Sequence, residues 1–257
     1  MKKGMLTLVG LGISDEKGIS LAGLEVLKSS GKIFAESYTS LLPEGTLERL
    51  EKLLGKPIGI LDRQQVEGEK TILDSASSVP TALVVSGDPM IATTHVSLVL
   101  AARKLGIATE IIHAASILTA AIGESGLQAY KFGKTVTLAY WRENYKPMAA
   151  YDVIAENLSR GLHTLLLLDI DEKLGPMSPS EAARLLLEME KEGKKSILLL
   201  QTKAVFLGGI GRADGKKAYL PLGDASESHG AYPTPAVLIL PGRLHFLEEE
   251  FLASLEG

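Results

Sequence analysis

Thr81-Ala82-Leu83-Val84-Val85-Ser86-Gly87-Asp88-Pro89 is the stretch on which the fold turns. Its first five residues form a short unbroken run of apolar and β-branched side chains. Such a run reads as a strand buried on both faces, and strands of that kind belong to parallel sheets covered by helices. Gly87 lets the chain turn sharply, Asp88 can bond its own turn or a ligand amine, and Pro89 stiffens the exit. Open parallel sheets bind ligands at the carboxyl ends of their strands. Ser86–Gly87–Asp88–Pro89 is therefore a strand end and a first candidate site at once. Met90-Ile91-Ala92-Thr93-Thr94-His95 follows with apolar surface and a helix cap.

Working outward, strands and helices alternate. Residues 5–9 form an apolar strand ending at Gly10, and Leu21, Leu24 and Leu27 recur at helical spacing until Gly31. Residues 32–35 read as a strand. Residues 46–54 set Leu47, Leu50, Leu53 and Leu54 on one helical face, and residues 58–61 form another strand. A helix over about 94–105 and a strand over 109–112 complete this half. Strands separated by helices predict a parallel sheet with both faces covered.

The later half has a different texture. Residues 134–140 alternate as a half-buried strand, 151–160 form a helix, and 164–168 are a fully apolar strand. Ser178-Pro179-Ser180-Glu181 is a capping box with proline at the first helical position. The helix that it opens buries Ala182, Leu185, Leu186 and Met189 and ends at Gly193. Residues 196–200, 204–207 and 237–240 read as strands with mixed or antiparallel pairing. The expected fold class is α/β, as two α/β domains over 1–115 and 116–257. The first has a parallel-rich sheet and the second a mixed one. Their joint lies near 114–116, with 123–133 flexible around it.

The 257 residues are 46% hydrophobic and 23% charged, without cysteine, and carry a net charge of −4. That composition excludes a disordered chain, a collagen-like chain and a disulfide scaffold. It also excludes thiol nucleophiles and cysteine-ligated metal sites. A weakly acidic chain has no global attraction to phosphate backbones, so no direct nucleic-acid partner is expected. No apolar run approaches ~18 residues, so neither a membrane span nor a signal peptide is read. A cytoplasmic location is expected.

Several short motifs carry chemistry. Gly10-Leu11-Gly12 lets backbone approach a ligand closely. A dinucleotide fingerprint, with Glu36 as the ribose acid, is one reading. Against it, the third glycine position is Asp15, and the helix does not open until about Ser20. A plain turn and another small ligand are the alternatives. Gly133-Lys134-Thr135 mimics the end of a P-loop, but Gln128 replaces the leading glycine and a strand follows. Gly123-Glu124-Ser125-Gly126 falls one residue short of a nucleophile elbow. His95, His113, His163, His229 and His245 show no metal spacing and read as surface or packing residues. Asp169-Ile170-Asp171 reads as a solvated strand end rather than a divalent-metal site.

Taken together, the segments Val9-Gly10-Leu11-Gly12, Glu36-Ser37-Tyr38-Thr39-Ser40, Gly87-Asp88-Pro89-Met90-Ile91-Ala92-Thr93-Thr94-His95 and His113-Ala114-Ala115-Ser116-Ile117 resemble the diphthine synthase family. So do Tyr130-Lys131-Phe132-Gly133-Lys134, Gly161-Leu162-His163-Thr164 and Pro241-Gly242-Arg243-Leu244-His245-Phe246. The family is a branch of the tetrapyrrole (precorrin-type) methyltransferases, and the resemblance runs over nearly the whole chain. It implies a two-domain, homodimeric enzyme with S-adenosyl-L-methionine in the cleft between domains and S-adenosyl-L-homocysteine as product. The protein partner implied is elongation factor 2, methylated on the amino group of a modified histidine during diphthamide formation. By the archaeal pattern three successive N-methylations are expected. Carried over by position, the cofactor contacts are Ile13, Asp88, Ile91, Ser116, Ile117, Leu168, Ile210 and Ala236. The chain departs from the family pattern at Ala115, at Gly208-Gly209-Ile210-Gly211, at Ala236 and over 141–150. The alternatives are a C-methyltransferase acting on a corrin or porphyrin ring and a non-catalytic S-adenosylmethionine-binding regulator. An α-amino acceptor has a free pKa of about 8, so a strong general base is not required, and none stands out.

Overall fold

The computed structural model describes residues 4–36, 38, 41–228, 230 and 232–255. Ser37, Thr39, Ser40 and His229, singled out above, lie outside the described residues. The chain divides into two compact units, Met1–Ile117 and Leu118–Gly257.

The first unit runs β1 (Met5–Gly10), α1 (Leu21–Ser29), β2 (Lys32–Glu36), α2 (Thr46–Leu54), β3 (Gly59–Leu61), α3 (Arg63–Glu67), α4 (Lys70–Ser78), β4 (Pro80–Val85), α5 (Val96–Lys104) and β5 (Ala108–Ile112). Its five strands lie in the order β3-β2-β4-β1-β5, and every pairing is parallel. The period-2 rule of strands explains its two cores. Leu6 and Leu8 of β1 enter one core with Leu83 and Val85 of β4, Ile72 and Ala76 of α4 and Leu98 and Ala102 of α5. Val9 enters the other with Ala82 and Val84 of β4, Leu27 of α1 and Leu50 of α2. The sheet is thus covered on both faces, and its run-like strands follow from that.

Two helices of this unit escape the periodicity reading. Asp62 caps α3 in a capping box with Gln65, and α4 buries Ile72, Leu73 and Ala76. An Asp-x-x-Gln signal was present, but α3 spans only five residues, too few for a helical repeat to show.

The second unit contains most of α6 (Ile117–Ser125), then β6 (Val136–Leu138), α7 (Ala149–Ser159), β7 (Thr164–Leu168), β8 (Ile170–Asp171), β9 (Gly175–Pro176), α8 (Pro179–Gly193), β10 (Lys203–Gly208), β11 (Lys216–Pro221), α9 (Leu222–Glu227), β12 (Ala236–Leu240) and α10 (Phe246–Ala253). Its main sheet has the order β11-β10-β12-β7-β6. Only the β6–β7 pair in it is parallel, and the rest is antiparallel. Leu166 and Leu168, Ala204 and Phe206, and Leu238 and Leu240 form one core with Ile154 of α7 and Leu186 and Met189 of α8. Ser178 caps α8 in the expected box with Glu181, and Pro179 opens it.

The strand expected over 196–200 does not exist. The Glu190 carboxylate takes the backbone N–H groups of Ser196 (2.6 Å), Ile197 (2.9 Å) and Leu198 (2.8 Å) instead. Those amides are spent on a side chain, so no ladder can use them. The stretch 123–133 is also more regular than its glycines imply. It holds the end of α6 and a turn of 3-10 helix over Ala129–Lys131. Gly133 N–H donates to the His163 carbonyl (2.9 Å).

Candidate active site

In the first unit the chain leaves β1 through α1, which packs on one face, and leaves β4 through α5, which packs on the other. β1 and β4 are neighbours. The boundary between them is therefore a topological switch point, where parallel sheets open for ligands.

Two glycines stitch the loops across that boundary. Gly12 N–H donates to the Gly87 carbonyl (3.1 Å), and Gly87 N–H donates to that of Gly12 (2.9 Å). The Gly10-Leu11-Gly12 segment thus packs against the protein's own backbone. A Cβ on Gly12 would sit 2.6 Å from the Gly18 carbonyl oxygen, at φ +79°. A Cβ on Gly10 would sit 2.7 Å from the Gly87 oxygen. Both glycines serve close packing of the protein's own backbone. Gly87 differs, because a Cβ there would meet nothing within 4 Å. Ser14 and Ala92, one in each loop, hold left-handed φ of 83° and 55° without being glycine. Strain of that kind clusters at functional loops.

Asp88 holds this arrangement together. Its Oδ1 accepts from Met90 N–H (2.9 Å), and its Oδ2 accepts from His113 Nδ1 (2.8 Å) and Ala114 N–H (3.2 Å). The side chain is buried. Burial alone would raise its pKa, but the Met90, His113 and Ala114 donors hold it below the usual carboxylate range. Asp88 thus fixes the loop after β4 to the loop after β5.

The expected site residues fall into two groups. Ile13, Asp88, Ile91, Ser116 and Ile117 all follow the carboxyl ends of β1, β4 and β5 in the first unit. Asp88 and Ser116 are buried, whereas Ile13 and Ile117 are half-buried and Ile91 is exposed. Leu168, Ile210 and Ala236 belong to the second unit. Leu168 ends β7, Ala236 starts β12 opposite that end, and Ile210 follows β10, whose Gly208 pairs with Ala236. These three share one end of the second sheet.

Other readings resolve into packing roles. Glu36 is not offered to a ribose, because its Oε2 lies 2.9 Å from His95 Nε2, both side chains being buried. His95 Nδ1 reaches the Pro89 carbonyl (2.8 Å), so the ring braces the site loop and does not cap α5 with its side chain. Gly133 makes room for Asn157, whose Oδ1 would stand 2.1 Å from a Cβ. Ser125 Oγ closes α6 on the Ile122 carbonyl (2.7 Å). Asp169 accepts from Tyr140 N–H, and Asp171 pairs with Arg142. The His113–Asp88 contact was not foreseen, since 25 residues separate the two in sequence.

The strand-end surface suits a neutral or cationic ligand better than a polyphosphate. Residues 11–15, 86–94 and 113–117 contain no lysine or arginine. Space is open above Gly87, with the apolar Ile91 exposed in the same loop.

Residues 5–201 match the family model of the Tetrapyrrole (Corrin/Porphyrin) Methylases, which makes the chain a methyltransferase of that class. Within it, the chain is 43% identical over 258 residues to the diphthine synthase of Methanosarcina mazei, covering 98% of this chain and 96% of the relative. Identity to the diphthine synthase of Methanocaldococcus jannaschii is 43% over 256 residues, covering 98% of each. A crystal structure of diphthine synthase superposes with a TM-score of 0.86 at 33% identity, covering 98% of this chain and 96% of that one. The chain belongs to the diphthine synthase family.

Proposed function

We propose that this chain methylates the amino group of the modified histidine of elongation factor 2, with S-adenosyl-L-methionine as donor and S-adenosyl-L-homocysteine as product. The observation that carries this reading is full-length similarity to diphthine synthases at 43% identity. The proposed donor contacts are Ile13, Asp88, Ile91, Ser116, Ile117, Leu168, Ile210 and Ala236. Asp88 serves by fixing the loop that carries Ile91. The open surface near Gly87, free of lysine and arginine, fits an adenosyl group and a thioether. Bound there, the donor would supply an electrophilic methyl group on a sulfonium. The protein's task is then alignment and exclusion of water.

Three successive transfers are proposed. An amine that has taken one or two methyl groups can lose a proton and react again, whereas a quaternary ammonium has no lone pair. We further propose a cytoplasmic homodimer. No described helix is long and apolar enough to cross a membrane.

The test is transfer of labelled methyl groups to elongation factor 2 carrying the unmethylated diphthamide precursor, read by mass spectrometry before and after mild alkali. Three alkali-stable methyl groups are expected. Methylation of a corrin or porphyrin instead would sink the reading, as would donor binding without turnover. An alkali-labile methyl would reveal an ester and overturn the proposed product.

A further inference from the structure

We propose that His113 is the general base of the transfer, aimed by Asp88. The inference rests on the reading that an amine is the acceptor, and it assigns a residue to the step that reading leaves open.

The geometry is that of a carboxylate–imidazole dyad. His113 Nδ1 lies 2.8 Å from Asp88 Oδ2, and the histidine side chain is 69% exposed while that of Asp88 is 5% exposed. A carboxylate held ionised by two backbone N–H groups can only accept, so the His113 proton sits on Nδ1. The lone pair is then on Nε2, which has no hydrogen-bond partner among the described residues. A buried carboxylate that fixes tautomer and ring orientation is what makes an imidazole an effective proton acceptor. His113 follows the end of β5, and its neighbour Ala114 touches Gly10 at the end of β1, so the dyad stands among the loops of the switch point. Asp88 is the charged group that the β4 loop sets against it.

The other histidine of these loops cannot do this work. Both nitrogens of His95 are occupied by internal partners, the Glu36 carboxylate and the Pro89 carbonyl, so neither is free to face an acceptor amine.

An amino group of pKa about 8 is mostly protonated at neutral pH. His113 Nε2 takes one proton from the acceptor ammonium and frees its lone pair. The nitrogen then forms a bond to the methyl carbon, and the carbon–sulfur bond breaks with its electron pair kept by sulfur. The new methylammonium carries a proton again, so a further round needs the base afresh, and His113 passes each proton to water between rounds.

The plain alternative is that His113 merely neutralises Asp88 and ties down its loop. His113→Asn separates the two roles. The amide nitrogen takes the place of Nδ1 and donates to Asp88, but offers no basic nitrogen. We expect kcat toward the precursor-bearing elongation factor at pH 7 to fall about 100-fold, the usual worth of a positioned base. S-adenosylmethionine Kd by calorimetry should stay within about threefold of wild type, as expected when the interaction lost serves only the transition state. The deficit should narrow above pH 9, where the acceptor deprotonates unaided, and added imidazole should restore part of the rate. In wild type, ring 15N shifts should show the Nδ1–H tautomer at pH 8. A kcat loss below about threefold, a rate loss matched by weaker donor binding, or an Nε2–H tautomer would overturn the assignment. If the asparagine variant does not fold, the wild-type tautomer alone decides, an Nε2–H form overturning the assignment. Wild-type inactivity on that acceptor would fail the functional reading, and the variant-to-wild-type ratio tests the base separately.

Discussion

Each unit buries one histidine against one glutamate, and the two rings are pushed in opposite directions on the pKa scale. In the first, His95 faces the Glu36 carboxylate with Nε2 and the Pro89 carbonyl with Nδ1. A carboxylate and a carbonyl on the two nitrogens favour the imidazolium form. Burial works against that charge, but Glu36 and Pro89 outweigh it and raise the His95 pKa. In the second, His163 faces Glu248 with Nε2 (3.1 Å), but its Nδ1 accepts from Gly242 N–H (2.9 Å). A backbone N–H only donates, so this ring is neutral. Burial lowers its pKa, Lys131 lowers it further, and Glu248 only partly offsets them. The lesson is that the group facing the second ring nitrogen, not the glutamate, sets the charge.

The carboxylates differ in the same sense. Glu248 is saturated: Gln128 N–H (2.8 Å) and His163 on Oε1, His245 N–H (2.7 Å) and the Lys131 ammonium on Oε2. Burial would raise its pKa, yet these donors hold it down at about 2. Glu36 has one oxygen on His95, while Oε1 has no partner among the described residues. The first pair sits beside the site loop, and the second ties the segments around 128–133, 163 and 242–248 into one frame.

The sharpest way to break this contrast is Glu248→Ala. It strands a lysine, the His163 ring and two backbone donors, so urea denaturation should show a loss of about 3–5 kcal/mol. A loss under ~1 kcal/mol would mean that Glu248 is not the frame's keystone. Glu36→Gln should cost less, about 1.5–3 kcal/mol for one charged hydrogen bond, and should drop the His95 pKa, read by its NMR titration. An unchanged titration would show that Pro89, not Glu36, holds the proton.

Opposite pH dependence is the subtler expectation. A raised His95 pKa means that its stabilisation is present in full below about pH 6.5 and is lost as pH rises through the raised value. His163 has a lowered pKa, so the unfolded chain binds a proton that the folded one refuses, and stability falls as pH drops below 6.5. Glu248 adds stability above about pH 4.5 that is lost toward about 2. Hydrogen exchange should therefore show β4 amides loosening on the alkaline side and β7 amides on the acid side. Equal behaviour in the two sheets would erase the difference. Smallest of all, Gly87→Ala should cost about 1 kcal/mol of stability, for its left-handed φ of 71°. If donor occupies the space above it, calorimetry will show weaker binding of S-adenosylmethionine. Unchanged affinity would remove Gly87 from the site.

Local chemistry alone determined much of this molecule. The run ending in Gly87-Asp88-Pro89 specified a doubly covered parallel strand, because four consecutive apolar residues after Thr81 leave no alternating face for water. Thr46–Leu54 and Pro179–Gly193 declared themselves as helices through spacing and, for the latter, a capping box. The segments of the site were legible as strand ends. What those side chains do there was decided only by tertiary structure. Glu190 converts an apolar run at 196–200 into a loop by taking its amides, and no window of sequence contains that carboxylate's choice. Gly12 was legible as a turn glycine, but that it pairs with Gly87 depends on β1 and β4 being neighbours. The charge of His95 and of His163, and the aim of His113, depend on which acceptor or donor the fold carries to the second ring nitrogen across 6, 79 or 25 residues. Periodicity records burial, whereas protonation is set by partners distant in the chain.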